Sequence, residues 1–157
     1  MSARNKPYLL AIDNGTQSVR ALIFDLEGQL IAKSKVHIEP YYSVNPGWAE
    51  QDAEYLWNSL CKACQDLWTQ IDFPKSKIRA VALTTQRATV VNVDREGKPL
   101  RPAIIWLDQR RTEPHELPSM PLHWEVLFKA LGEQDTMRYF RSQAECNWIK
   151  THQPDIW

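Results

Sequence analysis

Tyr8-Leu9-Leu10-Ala11-Ile12-Asp13-Asn14-Gly15-Thr16-Gln17-Ser18-Val19-Arg20 decides how this chain begins to fold. The unbroken apolar run over 8–12 predicts a strand buried on both faces. Asp13, Asn14, Gly15 and Thr16 are turn formers, and the glycine lets the backbone reverse sharply. Beyond the turn, Val19, Ala21 and Ile23 alternate with Arg20 and Leu22, the period of a partly covered strand over 18–25. Glu27-Gly28 supplies another turn, and a third strand is expected over 30–38. Three strands joined by tight turns make an antiparallel meander.

Downstream the period changes. Residues 41–51 read as a loop containing Pro46-Gly47-Trp48. Asp52 is the expected N-cap of a helix, with Glu54 favouring its positive end. Leu56/Trp57, Leu60/Cys61, Cys64, Leu67/Trp68 and Ile71 then recur at steps of three and four, an amphipathic helix of about five turns leading to Pro74. Further strands are expected over 78–84, 89–93 and 103–106, with a turn at Arg95-Glu96-Gly97. The proline-rich stretch 112–121 reads as loop, and 124–131 as a helix ended by Gly132. Ser142 and Glu145 form a capping box for a last helix, stopped by Pro154, whose buried face would hold Ala144, Trp148 and Ile149. This order predicts an α/β fold: a mixed sheet built on the three-strand meander, with flanking helices.

The 157 residues are 43% hydrophobic and 24% charged, enough for one domain with a core. Nineteen lysines and arginines balance nineteen aspartates and glutamates, so no basic excess points to nucleic acid or membrane lipid. No run is apolar enough to span a bilayer, and the polar opening over 1–7 does not read as a secretory leader. With Cys61, Cys64 and Cys146 as an odd set, reduced thiols in the cytoplasm are expected. Cys61-Lys62-Ala63-Cys64 has the spacing of half a zinc site. No second pair completes it, so core packing is the stronger reading.

Three stretches carry chemistry. Asp13 ends an apolar strand where a turn exposes backbone N–H groups that suit phosphate oxygens. Asp13 itself could hold Mg²⁺, through water because Mg²⁺ dehydrates reluctantly. Thr16 and Gln17 offer further donors, and Arg20 could neutralise a transferring phosphoryl group. An ordinary hairpin turn explains the same residues. Thr84-Thr85-Gln86-Arg87 closes a strand, where open α/β sheets bind ligands; simple strand-edge polarity is the plainer account. In Trp106-Leu107-Asp108-Gln109-Arg110, Trp106 could stack on a polyol and Asp108 accept from its hydroxyls, unless the tryptophan is merely core. The chain holds neither G-x-x-x-x-G-K-[ST] nor G-x-G-x-x-G.

In order and phrasing these motifs resemble the FGGY carbohydrate kinases. The matching text is Leu10-Ala11-Ile12-Asp13-Asn14-Gly15-Thr16, Pro46-Gly47-Trp48-Ala49-Glu50-Gln51-Asp52, Thr85-Gln86-Arg87, Ile105-Trp106-Leu107-Asp108-Gln109-Arg110 and Asn147-Trp148-Ile149-Lys150-Thr151-His152-Gln153-Pro154. The likeness runs from about residue 8 to the C-terminus and is weakest over 112–141.

The resemblance implies a ribonuclease-H-like, actin-like ATPase lobe that phosphorylates a hydroxyl of a sugar or polyol with ATP and Mg²⁺. It places Asp13, Gly15, Thr16, Gln17 and Arg20 at phosphate and metal, and Gln86, Arg87, Trp106 and Asp108 at the sugar. Residues 1–157 would then form an incomplete N-terminal lobe, inactive alone, with the catalytic base and the adenosine-binding C-terminal lobe further along. In glycerol kinases a substrate-binding glutamate follows Gln-Arg; Ala88 stands here, which disfavours glycerol and favours a larger ligand. Two other classes fit the lobe: an actin-like ATPase that is not a kinase, and a non-catalytic assembly module, with Trp148 and Trp157 as its docking face and a homo-oligomer as one outcome.

Overall fold

The computed structural model describes residues 6–157. Of the polar opening over 1–7, residues 1–5 therefore lie outside the described residues. In chain order the elements are β1 (Tyr8–Asn14), β2 (Ser18–Asp25), β3 (Leu30–His37), β4 (Glu50–Gln51), α1 (Ala53–Trp68), β5 (Ile78–Thr84), β6 (Ala103–Ile104), α2 (Leu122–Leu131), α3 (Gln134–Gln143) and α4 (Glu145–His152).

The meander forms as its alternation predicts. Strands β1 and β2 pair antiparallel, with Asp13 opposite Arg20, and β2 pairs antiparallel with β3. The turn after β2 is fixed by Asp25, whose Oδ1 accepts from the N–H groups of Glu27 and Gln29, while Gly28 takes φ 81°. Helix α1 then carries the chain back, and β5 joins β1 in parallel. The sheet order is β3-β2-β1-β5, and the pairing is mixed, as the sequence implied.

Asp52 caps α1 by accepting the Tyr55 N–H at 3.0 Å. The helix packs Leu56, Ala63 and Leu67 against Leu10, Ile12, Val19, Ala21 and Ile23. Each leucine, isoleucine or valine among them, fully buried, contributes about 1.5–3 kcal/mol. Ser34 donates to the Ala63 carbonyl, so strand and helix approach closely where both side chains are small. Cys64 packs against this core and Cys61 is half-buried beside it. Among the described residues no group of three or more His, Cys, Asp or Glu gathers to hold a metal.

Several expectations need correction. Strand β1 is covered on one face only: Leu10 and Ile12 are buried, but Leu9 is exposed. Val81 and Leu83 of β5 pair with Leu10 and Ile12 and so share the face that α1 covers. They stay exposed because α1 lies over β2 and β3. Trp57, placed by its spacing on the buried helical stripe, faces outward. The helix stops at Trp68, leaving Ile71 beyond it. No strand forms over 89–93; Val90 bridges Ile104 and Val93 bridges Pro99 across a short excursion. The strand expected over 103–106 shrinks to β6, which pairs with β4 in a separate two-stranded sheet.

Helix α3 has no counterpart among the elements expected from sequence. The capping box does not form: Ser142 donates to Tyr139 inside α3, and Ala144 opens α4 with no side-chain bond. Trp148 and Ile149 are buried as expected, in a second small core with Ile104, Trp48, Val90 and Ile156. Trp148 is thus unavailable for docking, whereas Trp157 is exposed.

Candidate functional site

Parallel pairing of β1 and β5 brings two strand ends to the same edge, Asp13 opposite Thr84. A cleft of about 590 Å³ opens there, lined by Asp13, Asn14, Gly15, Thr16, Thr84, Thr85, Gln86, Arg87, Ala88 and Trp106. Residues from all three chemistry-bearing stretches therefore share one concavity at the carboxyl ends of strands, where open α/β sheets take ligands.

Asp13 is held on both oxygens. Oδ2 pairs with Arg20 Nη1 at 2.8 Å, and Oδ1 accepts from Thr84 Oγ1 at 3.2 Å. The side chain keeps 41% exposure, open enough to meet a ligand. Gly15 turns the chain tightly, its N–H donating to Ser18 O at 3.1 Å; a Cβ there would lie 3.1 Å from the same oxygen. Gln86 ties the two loops together. Its Nε2 donates to Gly15 O at 3.1 Å and its Oε1 accepts from Thr89 Oγ1 at 3.1 Å. Both ends of the amide are thus engaged within the protein. Ala88 adopts φ 59°, the left-handed region that costs a non-glycine residue about 1–2 kcal/mol. Trp106 is 55% exposed, and its position suits stacking on a ligand face.

Three of the residues singled out from sequence lie elsewhere. Arg20 stands outside the cleft lining and reaches it through Asp13. Gln17 lines a neighbouring hollow of about 290 Å³, which shares Thr16 and Trp106 with the cleft. Asp108, expected at the sugar, points inward instead. Its Oδ1 accepts from the Arg110 N–H and Nε, and its Oδ2 from Ala49 N–H and Arg110 Nη2. With its side chain only 3% exposed, it has no face left for a ligand hydroxyl.

Asp108 belongs to a buried ion cluster. Glu50 Oε1 takes Arg101 Nη2 and Arg110 Nη2, and the Arg110 guanidinium lies 4.0 Å from the Trp48 ring centroid and 4.7 Å from that of Trp148. Two acids and two arginines balance in charge, the condition for tolerating them out of water. Burial alone would push the Asp108 carboxyl up, but the hydrogen bonds from Arg110 and Ala49 outweigh it and hold the group below the usual carboxylate range. Burial lowers the Arg101 guanidinium despite the opposing pull of Glu50. Gln109 N–H bonds Gly47 O and Ile105 N–H bonds Ala49 O, so the cluster locks the loop that presents Trp106.

Asn14, Thr84 and Thr85 also line the cleft, with no role expected of them from sequence. The signal at Thr84 is its place at the end of a strand parallel to β1. The left-handed backbone at Ala88 left no trace in residue type.

A meander and crossover helix with an acidic turn at the sheet's carboxyl edge is the architecture of an actin-like ATPase lobe. Residues 8–157 match the family described as "FGGY family of carbohydrate kinases, N-terminal domain", and the chain belongs to that family. A glycerol kinase of Acinetobacter baylyi is 43% identical over 107 residues, 68% of this chain and 21% of that protein. One of Trichormus variabilis is 38% identical over 120 residues, 74% of this chain and 24% of that protein. Among solved structures, a xylulose kinase of Rhodospirillum rubrum superposes at TM-score 0.70 over 95% of this chain and 30% of its own; at 24% identity it shows the fold. A Plasmodium falciparum glycerol kinase with ADP superposes at TM-score 0.58 and 31% identity over 67% of this chain and 21% of its own. The chain spans about a fifth to a quarter of the length of the curated glycerol kinases it matches. Among the described residues no helix is long and apolar enough to cross a membrane.

Proposed function

We propose that this chain is the substrate-recognising N-terminal lobe of a cytoplasmic ATP-dependent kinase acting on a hydroxyl of a sugar or polyol. The observation that carries the reading is the shared cleft: the acidic turn at Asp13 faces Arg87, Ala88 and Trp106 across a single opening. Transfer of a phosphoryl group demands positioning and charge neutralisation more than covalent chemistry, and these residues supply both.

A lone exposed carboxylate with hydroxyl neighbours fits Mg²⁺ carried in on a phosphate and keeping several waters. Asp13 would hold that hydrated ion, while the Gly15–Thr16 turn and Gln17 receive phosphate oxygens and Arg20 supports Asp13. Arg87 and Trp106 would contact the sugar. Gln86 would act by fixing the turn, and Asp108 by fixing the Trp106 loop. The small Ala88 leaves room for a ligand longer than glycerol.

The adenosine site and the catalytic base belong, on this reading, to a C-terminal lobe outside residues 1–157. The test is ADP release by the whole gene product against a panel of polyols, ketoses and sugar acids. One substrate should support turnover and Asp13→Ala should abolish it; full activity in that variant overturns the role given to Asp13. Residues 1–157 alone should release negligible ADP, and rapid turnover by them would refute the incomplete lobe.

A further inference from the structure

Thr84 ends β5 with its hydroxyl between two groups of β1. Oγ1 lies 3.2 Å from the Asn14 backbone nitrogen and 3.2 Å from Asp13 Oδ1. A backbone N–H only donates, so the hydroxyl accepts from Asn14 and directs its own proton to Asp13. On the far side of β1, Arg20 of β2 holds the other oxygen of the same carboxylate. Strands on both flanks thus grip Asp13, one oxygen each.

We propose that Thr84 is the positioning residue that fixes the plane of the Asp13 carboxylate for a hydrated divalent cation borne on a phosphate, a role that rests on the function proposed above. Arg20 touches a single oxygen, and one contact leaves the carboxylate free to rotate about its last bond. The second contact removes that freedom. Small divalent cations of the Mg²⁺ type demand near-octahedral geometry, so a carboxylate turned out of plane misplaces the water it should hold. Fixing it in advance also spares the ordering entropy on binding. Thr84 is exposed, so replacing its hydroxyl should leave the fold intact.

The test uses the ¹⁵N-labelled whole gene product titrated with Mn²⁺·ADP, read as paramagnetic broadening of the Asn14, Gly15 and Thr16 amides. Thr84→Val keeps the shape and removes the hydroxyl; Thr84→Ser keeps the hydroxyl. Thr84→Val should raise the half-broadening concentration by about fivefold or more, and Thr84→Ser should stay within about twofold of the parent. Hydrogen exchange at Asn14 is measured alongside, and should quicken in Thr84→Val only. A Thr84→Val titration matching the parent overturns the proposal, as does equal weakening by both variants. A parent chain whose Asn14 amide is protected by Thr84 but shows no broadening removes the metal role of Asp13 and this inference with it. An Asn14 amide unprotected in the parent sinks the Thr84 contact alone.

Discussion

Arg110 Nη2 lies 2.8 Å from Glu50 Oε1, and the two side chains are 1% and 6% exposed. This contact joins motifs about sixty residues apart, Trp48-Ala49-Glu50 and Asp108-Gln109-Arg110, and Trp148 of the last helix closes over it. Removing one partner strands buried positive charge. Glu50→Ala should therefore cost about 3–5 kcal/mol, read from the urea unfolding midpoint, and a loss below about 1 kcal/mol would contradict the cluster. Arg110→Lys should also destabilise, since an ammonium cannot bond Asp108 and Glu50 at once while stacking on Trp48.

Asp108 makes this cluster sensitive to acid. Its carboxyl is held below the usual range, so its contribution is complete above the unfolded value near ~4 and drains as pH falls through the lower folded value. Thermal melts of the parent should fall steeply below about pH 4. Asp108→Asn should melt lower at neutral pH yet show a shallower acid decline. An acid decline as steep as the parent's would deny Asp108 that share.

The cysteines should separate by environment. Burial, and then the neighbouring Cys61, raise the Cys64 thiol, and a raised thiol supplies less thiolate to attack. Cys146 is exposed. Alkylation of native protein at pH 8, followed by peptide mass mapping, should label Cys146 first and Cys64 last. EDTA should leave the melting temperature unchanged; a drop would reinstate zinc at the C-x-x-C pair.

Ala88 offers a test of backbone strain in the cleft. At φ 59° glycine is at ease and alanine is not, though glycine gives back part of the gain as unfolded-chain entropy. Ala88→Gly should raise stability by up to about 1 kcal/mol in urea titrations. A clear loss would mean that the left-handed geometry is wrong.

The meander was legible because alternation over 18–25 and turn formers at Asp13–Thr16 and Glu27-Gly28 act locally. The same holds for the Asp52 cap of α1. Asp13, Gly15, Thr16, Arg87 and Trp106, all singled out from sequence, line one cleft. Asp108 misled because an acid beside an aromatic reads alike whether it faces solvent or an arginine. Only the approach of residues 47–50, far off in sequence, turns it inward. Gln86 lines the same cleft, but its amide is spoken for by Gly15, brought near by the β1–β5 pairing, and by Thr89 three residues on. Trp57 followed the helical period but fell outside the reach of the sheet beneath it.

Strand β5 has β1 on one flank and no other strand beside it among the described residues. Its outer flank is thus a row of unspent amide and carbonyl groups, bordered by Val81 and Leu83, and any extended backbone can zip onto it, a second copy included. Arg79 is the one charged side chain along those seven residues. That guanidinium is the strand's own guard against edge-to-edge pairing, and neutralising it should raise self-association of the chain in concentrated solution.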